Sequence, residues 1–431
     1  MTEVSPSPKK TLTLFDLTCI GINAIVGSGI YAFPGHLATM LGRSSFLAFA
    51  ACGFASILVG LCFAEAASGF ERSGGPYLYS RTAFGNTTGF IVGWSCWAAA
   101  ILSWAAVTNA LIPYTTYLFG TGVPGFVGPS VGIFITLVLG AVNYLGIKPG
   151  AYTTDILTVV KLIPLVVLVG VGFFSFDTNI WRAVGDMDLS TLPKAAFMAF
   201  FAFQGFEVVP VPAGDSTNPR RNAPLAVLIS VAGATILYVA IQISSIGSTS
   251  GLAGSNEPLA LMGTVLLGQL GGQIVAVAAV LSMLGFCAGV ALAGPRYVEA
   301  LAFDGFLPQS IANRHPKFGT PHRAIFLTTI LTSLFVVLVD FHRLVDLSVS
   351  IVAIQYLSTC AAILVLRKKQ TDTKFHLPWG PTIPILALAV VIVFIGIPAI
   401  QNADSRHILS LIVLIGVGGI PAVFWKWKRR I

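Results

Sequence analysis

The stretch LTCIGINAIVGSGIYAFPG, residues 17–35, is apolar enough to lie in a membrane, but Gly27-Ser28-Gly29 interrupts it near its centre. An apolar helix of about 20 residues crosses a hydrocarbon core about 30 Å thick. Each glycine in a helix interior lowers helix stability by about 1 kcal/mol relative to alanine. We therefore expect a membrane-spanning helix that is broken at these three residues.

A second stretch, AAFMAFFAFQGFEVVPVPAG (residues 195–214), is interrupted in the same way by Gln204, Gly205 and Glu207. Glycines alone are explained by close packing between membrane helices. A carboxylate at mid-membrane costs about 2.5–3.5 kcal/mol on the insertion scale, so Glu207 needs a partner or a role. Corresponding breaks in the two halves of a chain are typical of transporters with inverted repeats, whose substrate site lies at the membrane midplane.

The composition of the whole chain excludes a water-soluble protein. Of 431 residues, 55% are hydrophobic and 10% are charged, whereas soluble domains contain about 25% charged residues. We therefore predict an all-α polytopic membrane protein with twelve transmembrane helices, of which helices 1 and 6 are broken. The spans are expected at residues 13–35, 45–70, 88–119, 125–146, 152–175, 192–212, 223–247, 262–299, 322–340, 345–366, 381–400 and 406–426.

The net charge of +8 is explained by membrane topology and not by a nucleic-acid partner. Most Lys and Arg residues fall in loops that share one side of the membrane when the N-terminus is cytoplasmic, as the positive-inside rule requires. We predict a multi-pass cell-membrane protein in a lipid bilayer with both termini in the cytoplasm. The six cysteines show no close spacing and the six histidines lie in loops or at span ends, so neither a disulfide framework nor a metal or other cofactor is expected.

The two breaks indicate recognition of a small zwitterion. If span 1 unwinds at Gly27-Ser28-Gly29, its second half begins with free amides and a positive dipole end, which suit a carboxylate. The preceding half-helix and the span 6 break offer free carbonyls, which suit an ammonium group. The amides are those of Ser28, Gly29 and Ile30, and the carbonyls are those of Ala24, Ile25, Val26, Phe201 and Ala202.

Lys161 lies in span 5, nine residues after Tyr152, and is therefore about 13 Å along the helix from that point. This depth is too great for easy snorkelling to the membrane surface. An intramembrane lysine is expected to face the bundle interior and to contact backbone carbonyls or a carboxylate. Two interpretations remain open at this point: a lysine that titrates during transport, or a structural lysine that stays protonated.

Several motifs together resemble the amino acid–polyamine–organocation (APC) transporter superfamily across nearly the whole chain. The matching segments are Gly27-Ser28-Gly29-Ile30, Gly74-Gly75-Pro76-Tyr77, Lys161-Leu162-Ile163-Pro164, Phe203-Gln204-Gly205-Phe206-Glu207, Asn218-Pro219-Arg220-Arg221-Asn222-Ala223-Pro224, Gly294-Pro295-Arg296 and Asp304-Gly305-Phe306-Leu307-Pro308. The resemblance implies a leucine-transporter-type fold with 5+5 inverted repeats. The repeats then occupy residues 13–175 and 192–366, residues 381–426 form two peripheral spans, and residues 1–12 and 427–431 are cytoplasmic segments.

The resemblance also implies roles for individual residues. The glycine motif of span 1 binds the substrate carboxylate, and Phe201 stands where arginine/agmatine antiporters carry a gating tryptophan. Lys161 matches a lysine that occupies the sodium site and bridges spans 1 and 8 in sodium-independent members, and Glu207 matches an acid linked to coupling. The expected substrate site comprises Ala24, Ile25, Val26, Gly27, Ser28, Gly29, Ile30, Phe201, Ala202, Phe203, Gly205, Phe206 and Trp97.

Other residues leave alternatives open. Trp97 and Tyr356 either line the side-chain pocket or serve as packing residues, which is the more common role of membrane aromatics. Asp16 and Asp155 either contact Arg296 or Arg81 at a gate or cap helix starts, and capping is favoured. Many family members carry two consecutive acids at the position of residues 214–217, which here read Gly-Asp-Ser-Thr.

The sequence therefore predicts a secondary active transporter of neutral or varied amino acids. It is expected to be sodium-independent and to work by alternating access, as a proton-coupled symporter or an amino-acid exchanger. The alternatives are an antiporter of polyamines, cationic amino acids or amines, and a non-transporting amino-acid sensor. The lack of an obvious acid in span 3 weakens the case for strictly cationic substrates, and no nucleophile–base pair that would indicate an enzyme is recognisable.

Overall fold

The computed structural model describes residues 12–70, 75–119, 127–145, 151–185, 189–210, 216–369 and 375–398. These residues form helices and connecting turns, with a single isolated bridge between Leu12 and Ser216. The predicted span 12 at 406–426 and most of both terminal segments lie outside the described residues. The α-helices are α1 (Leu14–Ile25), α2 (Gly29–Leu41), α3 (Phe46–Ser68), α4 (Gly75–Phe84), α5 (Asn86–Phe119), α6 (Val127–Tyr144), α7 (Ala151–Phe174), α8 (Thr178–Ala183), α9 (Leu192–Phe201), α10 (Pro219–Ser248), α11 (Pro258–Phe303), α12 (His322–Leu338), α13 (Phe341–Lys368) and α14 (Thr382–Val391).

The helices match a polytopic membrane protein. Within the described residues, α3, α5, α10, α11 and α13 are each long and apolar enough to cross a membrane, and α1 with α2 forms a sixth, bent span. Shorter apolar helices lie at Gly128–Tyr144, Thr158–Phe174, His322–Leu338 and Thr382–Gly396. Large apolar side chains such as Phe134, Ile236 and Phe303 are exposed on the outside of the bundle, where a bilayer would cover them.

The first predicted break is confirmed. Helix α1 ends at Ile25, α2 begins at Gly29, and the two helices are bent by 44° relative to each other. Thr13 starts α1 with a capping box, in which the Asp16 carboxylate accepts a 2.6 Å hydrogen bond from the Thr13 amide. This contact confirms the capping interpretation of Asp16. Helix α2 continues to Leu41, beyond the predicted end of the span at residue 35, because the chain stays apolar there.

The second predicted break is also confirmed. Helix α9 ends at Phe201, and the chain turns before a short 3₁₀ helix at Phe206–Val208. Gly205 lies at the turn with φ of 124°, a conformation that residues with a Cβ rarely adopt. The broken segments are packed against long helices, because α10 lies against α1 and α3, and α7 lies against α1, α10 and α11.

Ion pairs at one end of the bundle join segments that are distant in sequence. Arg81 of α4 approaches Asp304, which follows α11, to 2.6 Å, and the hydroxyl of Tyr77 also donates to Asp304. The structure thus joins Tyr77 of the motif at residues 74–77 to Asp304 of the motif at residues 304–308, and Arg81 pairs with Asp304. Arg367 of α13 binds both carboxylate oxygens of Glu65 at 2.6 Å, and Glu65 is 1% exposed.

Candidate functional site

The two breaks lie directly against each other. A Cβ built on Gly29 would lie 2.4 Å from the Cβ of Ala202, and one built on Gly205 would lie 2.4 Å from the carbonyl oxygen of Ala24. Each break therefore places a glycine against the backbone region of the other. Because apolar heavy atoms pack at about 3.5–4.0 Å, neither position has room for a side chain, and both require glycine.

The start of α2 presents unpartnered amides at this contact. The amides of Tyr31 and Ala32 donate to the carbonyl of Ser28, but no acceptor is found among the described residues for the amides of Ser28, Gly29 and Ile30. The Ser28 hydroxyl is buried and also lacks a partner in this part of the chain. Free amides at a helix start carry partial positive charge and bind anions. The site can therefore accept a carboxylate at the residues that the sequence indicated.

The carbonyl groups at the end of α1 are partly occupied by protein donors. Tyr238 of α10 donates from its hydroxyl to the carbonyl of Ile25 at 2.9 Å and to that of Ala202 at 3.1 Å. The Ile25 carbonyl also accepts a hydrogen bond from the Gly27 amide. Tyr238 therefore joins the two breaks, and the Ile25 carbonyl has less capacity for an ammonium group than the sequence implied.

Lys161 lies where α7 meets the end of α1. Its Nζ donates to the carbonyl of Val26 at 2.7 Å and to that of Asn23 at 2.9 Å, and the side chain is 3% exposed. The hydroxyl of Ser282 on α11 donates to the same Val26 carbonyl at 3.0 Å. The expected contact of Lys161 with span 1 is present. Span 8 contributes Ser282, which donates to the same Val26 carbonyl as Lys161. The Val26 carbonyl is thus also occupied, by a cation and a hydroxyl.

Glu207 lies in the second break beside aromatic rings. Its Oε2 accepts a hydrogen bond from the Gly205 amide at 2.9 Å and another from the Tyr356 hydroxyl at 3.1 Å. The Tyr356 ring stacks on Phe206 at 5.2 Å. Tyr356, which the sequence left between pocket and packing, therefore holds the carboxylate. The neighbouring Gln204 accepts from Ser348 of α13 at 3.0 Å, which attaches the break to that helix.

Phe201 and Phe203 point to different aromatic groups. Phe201 contacts Phe33 of α2 at a ring separation of 6.0 Å and Phe341 of α13 at 6.5 Å. We call Phe33, Phe201 and Phe341 the aromatic cap. Phe203 packs against Phe49 and Tyr238. The aromatic cap thus brings three segments together. Phe33 lies on α2, which follows the first break, Phe201 is the last residue of α9 before the second break, and Phe341 begins α13.

Trp97 is not grouped with the breaks in this structure. Its indole nitrogen donates to the Thr328 hydroxyl of α12 at 2.9 Å, and its ring contacts Trp94. These residues belong to a second apolar cluster, whereas both breaks lie in the first. The structure therefore supports the packing interpretation of Trp97, because its polar group is satisfied by a neighbouring helix.

Sequence reasoning missed Tyr238 and Ser282. Both are buried polar side chains within apolar spans, where a hydroxyl group needs a partner. That signal marks them as candidates but does not name the carbonyls they bind. In the part of the chain that the structure describes, no group of three or more His, Cys, Asp or Glu side chains is placed to hold a metal ion.

Two broken helices that meet inside a bundle of membrane-spanning helices are an architecture of secondary transporters. The chain belongs to the amino acid permease family, whose sequence profile matches residues 12–419. It is 29% identical to the serine/threonine exchanger SteT of Bacillus subtilis over 100% of this chain and 99% of that protein. It is 26% identical to the methylthioribose transporter of the same organism (99% and 95% covered) and 28% identical to its branched-chain amino acid permease BcaP (100% and 95% covered).

Proposed function

We propose that the protein is a secondary active transporter that carries a zwitterionic amino acid between the two breaks. The observation that carries this proposal is the start of α2, where three backbone amides face no acceptor within the described residues, next to the carbonyl-rich break after α9. An α-amino acid supplies a carboxylate for the amides and an ammonium group for the nearby carbonyls. The relatives that exchange serine and threonine or transport branched-chain amino acids support this substrate class.

The protein's own hydrogen bonds limit which carbonyls can contact the ammonium group of the substrate. The carbonyls of Ile25, Val26 and Ala202 already accept from Tyr238, Lys161 or Ser282. The carbonyl of Ala24 accepts no hydrogen bond in the described part of the chain beyond those of its helix. The Phe201 carbonyl also accepts a hydrogen bond, from the Gln204 amide at 3.2 Å. In our proposal Ala24 therefore contributes the principal ammonium contact, and the other carbonyls orient the breaks.

Transport proceeds in this proposal by alternating access in a twelve-span fold. The inverted repeats are residues 13–175 and 192–366, residues 381–426 are peripheral, and both termini are cytoplasmic. The matching positions of the two breaks and the distribution of basic residues support this arrangement. Within it the aromatic cap closes one side of the site, and the Arg81–Asp304 pair lies at the other side.

Sodium-independent operation rests on Lys161. A buried ammonium group that donates to two carbonyls at the end of α1 supplies a positive charge at a position that suits a bound cation. Coupling then comes from protons, with Glu207 and Lys161 as the buried ionisable groups at the breaks, or from exchange of one amino acid for another.

The test is uptake by the purified full-length protein in proteoliposomes. Labelled serine, threonine, leucine and isoleucine are supplied with and without an inward proton gradient, with and without unlabelled amino acid inside. Uptake that needs internal amino acid indicates exchange, and uptake that follows the gradient indicates symport. Sodium replacement by potassium is expected to change neither rate. Uptake that requires sodium overturns the role of Lys161.

Methylthioribose and a polyamine serve as competitors in the same assay. A sugar thioether lacks both the carboxylate and the ammonium group, so it should not displace an amino acid from a zwitterion site. Strong competition by methylthioribose, or by the polyamine without methylthioribose, overturns the proposal that the substrate is a zwitterionic amino acid. Binding of amino acids without uptake under any gradient supports the sensor alternative.

A further inference from the structure

Two histidines meet at the rim of the aromatic cap. His36 of α2 and His342 of α13 have ring centres 5.0 Å apart with an angle of 66° between the ring planes. His36 is half-buried and His342 is exposed on the protein surface. Phe341, a member of the aromatic cap, contacts His342 directly at 5.3 Å. The pair therefore connects the two helices that contribute Phe33 and Phe341.

The hydrogen bonds leave a metal-binding nitrogen on each ring. The Nδ1 atom of His36 lies 3.0 Å from the carbonyl oxygen of Ala32. A carbonyl accepts and cannot donate, so Nδ1 carries the proton and Nε2 keeps its lone pair. Histidines that bind metals commonly donate the other ring N–H to a backbone carbonyl in this way. The ring of His342 forms no hydrogen bond with the described residues.

The spacing of the rings fits a shared metal ion. Zn–N bonds of about 2.0–2.1 Å at a tetrahedral angle place two imidazole centres roughly 5 Å apart. Asp340 lies two residues before His342, but its carboxylate caps α13 through the Arg343 amide at 3.0 Å. In the proposed site the two imidazoles are the protein ligands, and water completes the coordination. Such a site favours Zn²⁺, Ni²⁺ or Cu²⁺ over Mg²⁺ or Ca²⁺, because imidazole suits the former group.

We propose that His36 and His342 form a transition-metal site that clamps α2 to α13 and inhibits transport when it is occupied. The bound ion joins the two helices beside the aromatic cap, and α2 must move relative to α13 for substrate to pass. Occupation therefore holds the cap in one state. The site is reversible, because chelation of the ion restores movement. The proposal depends on neither the identity of the substrate nor the mode of coupling.

A second histidine pair provides a matched control. His315 and His322 have ring centres 5.6 Å apart. The Nδ1 atom of His315 accepts hydrogen bonds from the amides of Lys317 and Phe318. Its proton therefore lies on Nε2, and neither nitrogen is free to bind a metal without loss of these contacts. The control pair has the same composition and similar spacing, but one of its two rings, His315, lacks the open lone pair.

The experiment measures Zn²⁺ binding to the purified full-length protein by calorimetry, with Zn²⁺ alone as the titrant. We compare the wild type with His36→Gln, His342→Gln and the double variant His36→Gln/His342→Gln. The control is the double variant His315→Gln/His322→Gln. We expect one bound equivalent in the wild type and in the control, and affinity at least about tenfold weaker in each variant of the proposed pair. Zn²⁺ is also expected to raise the thermal unfolding midpoint of the wild type and of the control variant, but not that of the His36 and His342 variants.

Transport gives the second readout. Zn²⁺ should inhibit uptake by the wild type and the control, EDTA should reverse the inhibition, and His342→Gln should be resistant. Because His342 is exposed, its replacement preserves the fold, and uptake in the absence of metal confirms this. Unchanged Zn²⁺ affinity in His342→Gln and in His36→Gln/His342→Gln overturns the proposal. Equal loss of binding in both double variants also overturns it.

Discussion

The Nζ atom of Lys161 donates a 2.7 Å hydrogen bond to the carbonyl oxygen of Val26, the residue that follows α1 and caps its C-terminal end. A helix end leaves its last carbonyls without partners inside the helix. At this end a buried cation supplies the partner, and the break of span 1 is thereby held open on its carbonyl side. The end of α1 and the interior of α7 are consequently joined at the point where the proposed substrate site begins.

Replacement of Lys161 by methionine is expected to lower uptake by about tenfold or more, while the protein remains folded. Hydrogen bonds to charged groups contribute about 1.5–3 kcal/mol, and Ser282 still serves Val26 in the variant. Thr158→Val is the matched control, because Thr158 also joins α7 to α1, through a neutral 3.2 Å bond to the Cys19 carbonyl. Uptake by initial rate in proteoliposomes checks this prediction. Normal gradient-driven uptake in Lys161→Met contradicts the coupling role.

Glu207→Gln should preserve the fold and remove the response of uptake to a proton gradient. The carboxamide oxygen still accepts from the Gly205 amide and the Tyr356 hydroxyl, but the group no longer ionises. Tyr356→Phe removes one hydrogen bond and keeps the carboxylate, so it should lower the rate without changing the gradient dependence. A full gradient response in Glu207→Gln would assign proton coupling to another group.

A single methyl group at Gly29 should weaken substrate binding. The added Cβ would lie 2.4 Å from the Cβ of Ala202, and overpacking of this kind typically costs about 1–3 kcal/mol. Gly289→Ala is the control, since a Cβ there meets nothing within 4 Å. We expect substrate affinity to fall about tenfold in Gly29→Ala and in the larger Gly29→Val, measured by binding of labelled amino acid. Equal affinity in Gly29→Ala and the control would refute the carboxylate assignment.

Tyr238→Phe should remove the hydrogen bonds that connect the two breaks. The lost hydroxyl serves both Ile25 and Ala202, and loss of such a bond costs about 0.5–1.5 kcal/mol. Tyr117→Phe provides the comparison, because its hydroxyl pairs with Thr264, away from the breaks. Both variants should lose similar thermal stability, but only Tyr238→Phe should bind substrate more weakly. Matching losses of affinity in both variants would show that Tyr238 has no special role at the site.

Arg367→Leu should destabilise the protein strongly. The variant leaves the carboxylate of Glu65 buried without its cation, and removal of one partner from a buried pair costs about 3–5 kcal/mol. The double variant Glu65→Leu/Arg367→Leu removes both charges and should recover much of this loss, although the Leu377 amide then lacks its acceptor. Thermal unfolding of the single and double variants measures the difference. If the double variant is less stable than Arg367→Leu, the ion pair itself is not the main contribution.

The positions of the two breaks were predictable from the chain because their causes are local. Gly27-Ser28-Gly29 and Gln204-Gly205 weaken a helix wherever they occur, and the observed helices end at Ile25 and Phe201, within three residues of these motifs. The capping role of Asp16 was predictable for the same reason, since Thr13 lies only three residues away. The depth of Lys161 in its span indicated a contact with backbone carbonyls, and Asn23 and Val26 supply it.

The partners across the bundle were not predictable in this way. The hydrogen bond from Tyr238 to Ile25 joins residues 213 positions apart, and local patterns contain no information about such a pairing. Trp97 shows the converse, because its aromatic character fitted a pocket, but a neighbouring helix places Thr328 at its indole nitrogen. The pairing of Arg81 with Asp304 likewise depends on the approach of α4 to the end of α11.

The sequence by itself determined the membrane class and the location of the breaks, because these follow from hydropathy and from the local cost of glycine and buried charge. The tertiary structure alone decided which carbonyls remain available. Those of Ile25, Val26 and Ala202 are taken by Tyr238, Lys161 and Ser282, which lie on three other helices. A carbonyl has a limited number of acceptor positions, so the packing of these helices sets what a substrate can still bind.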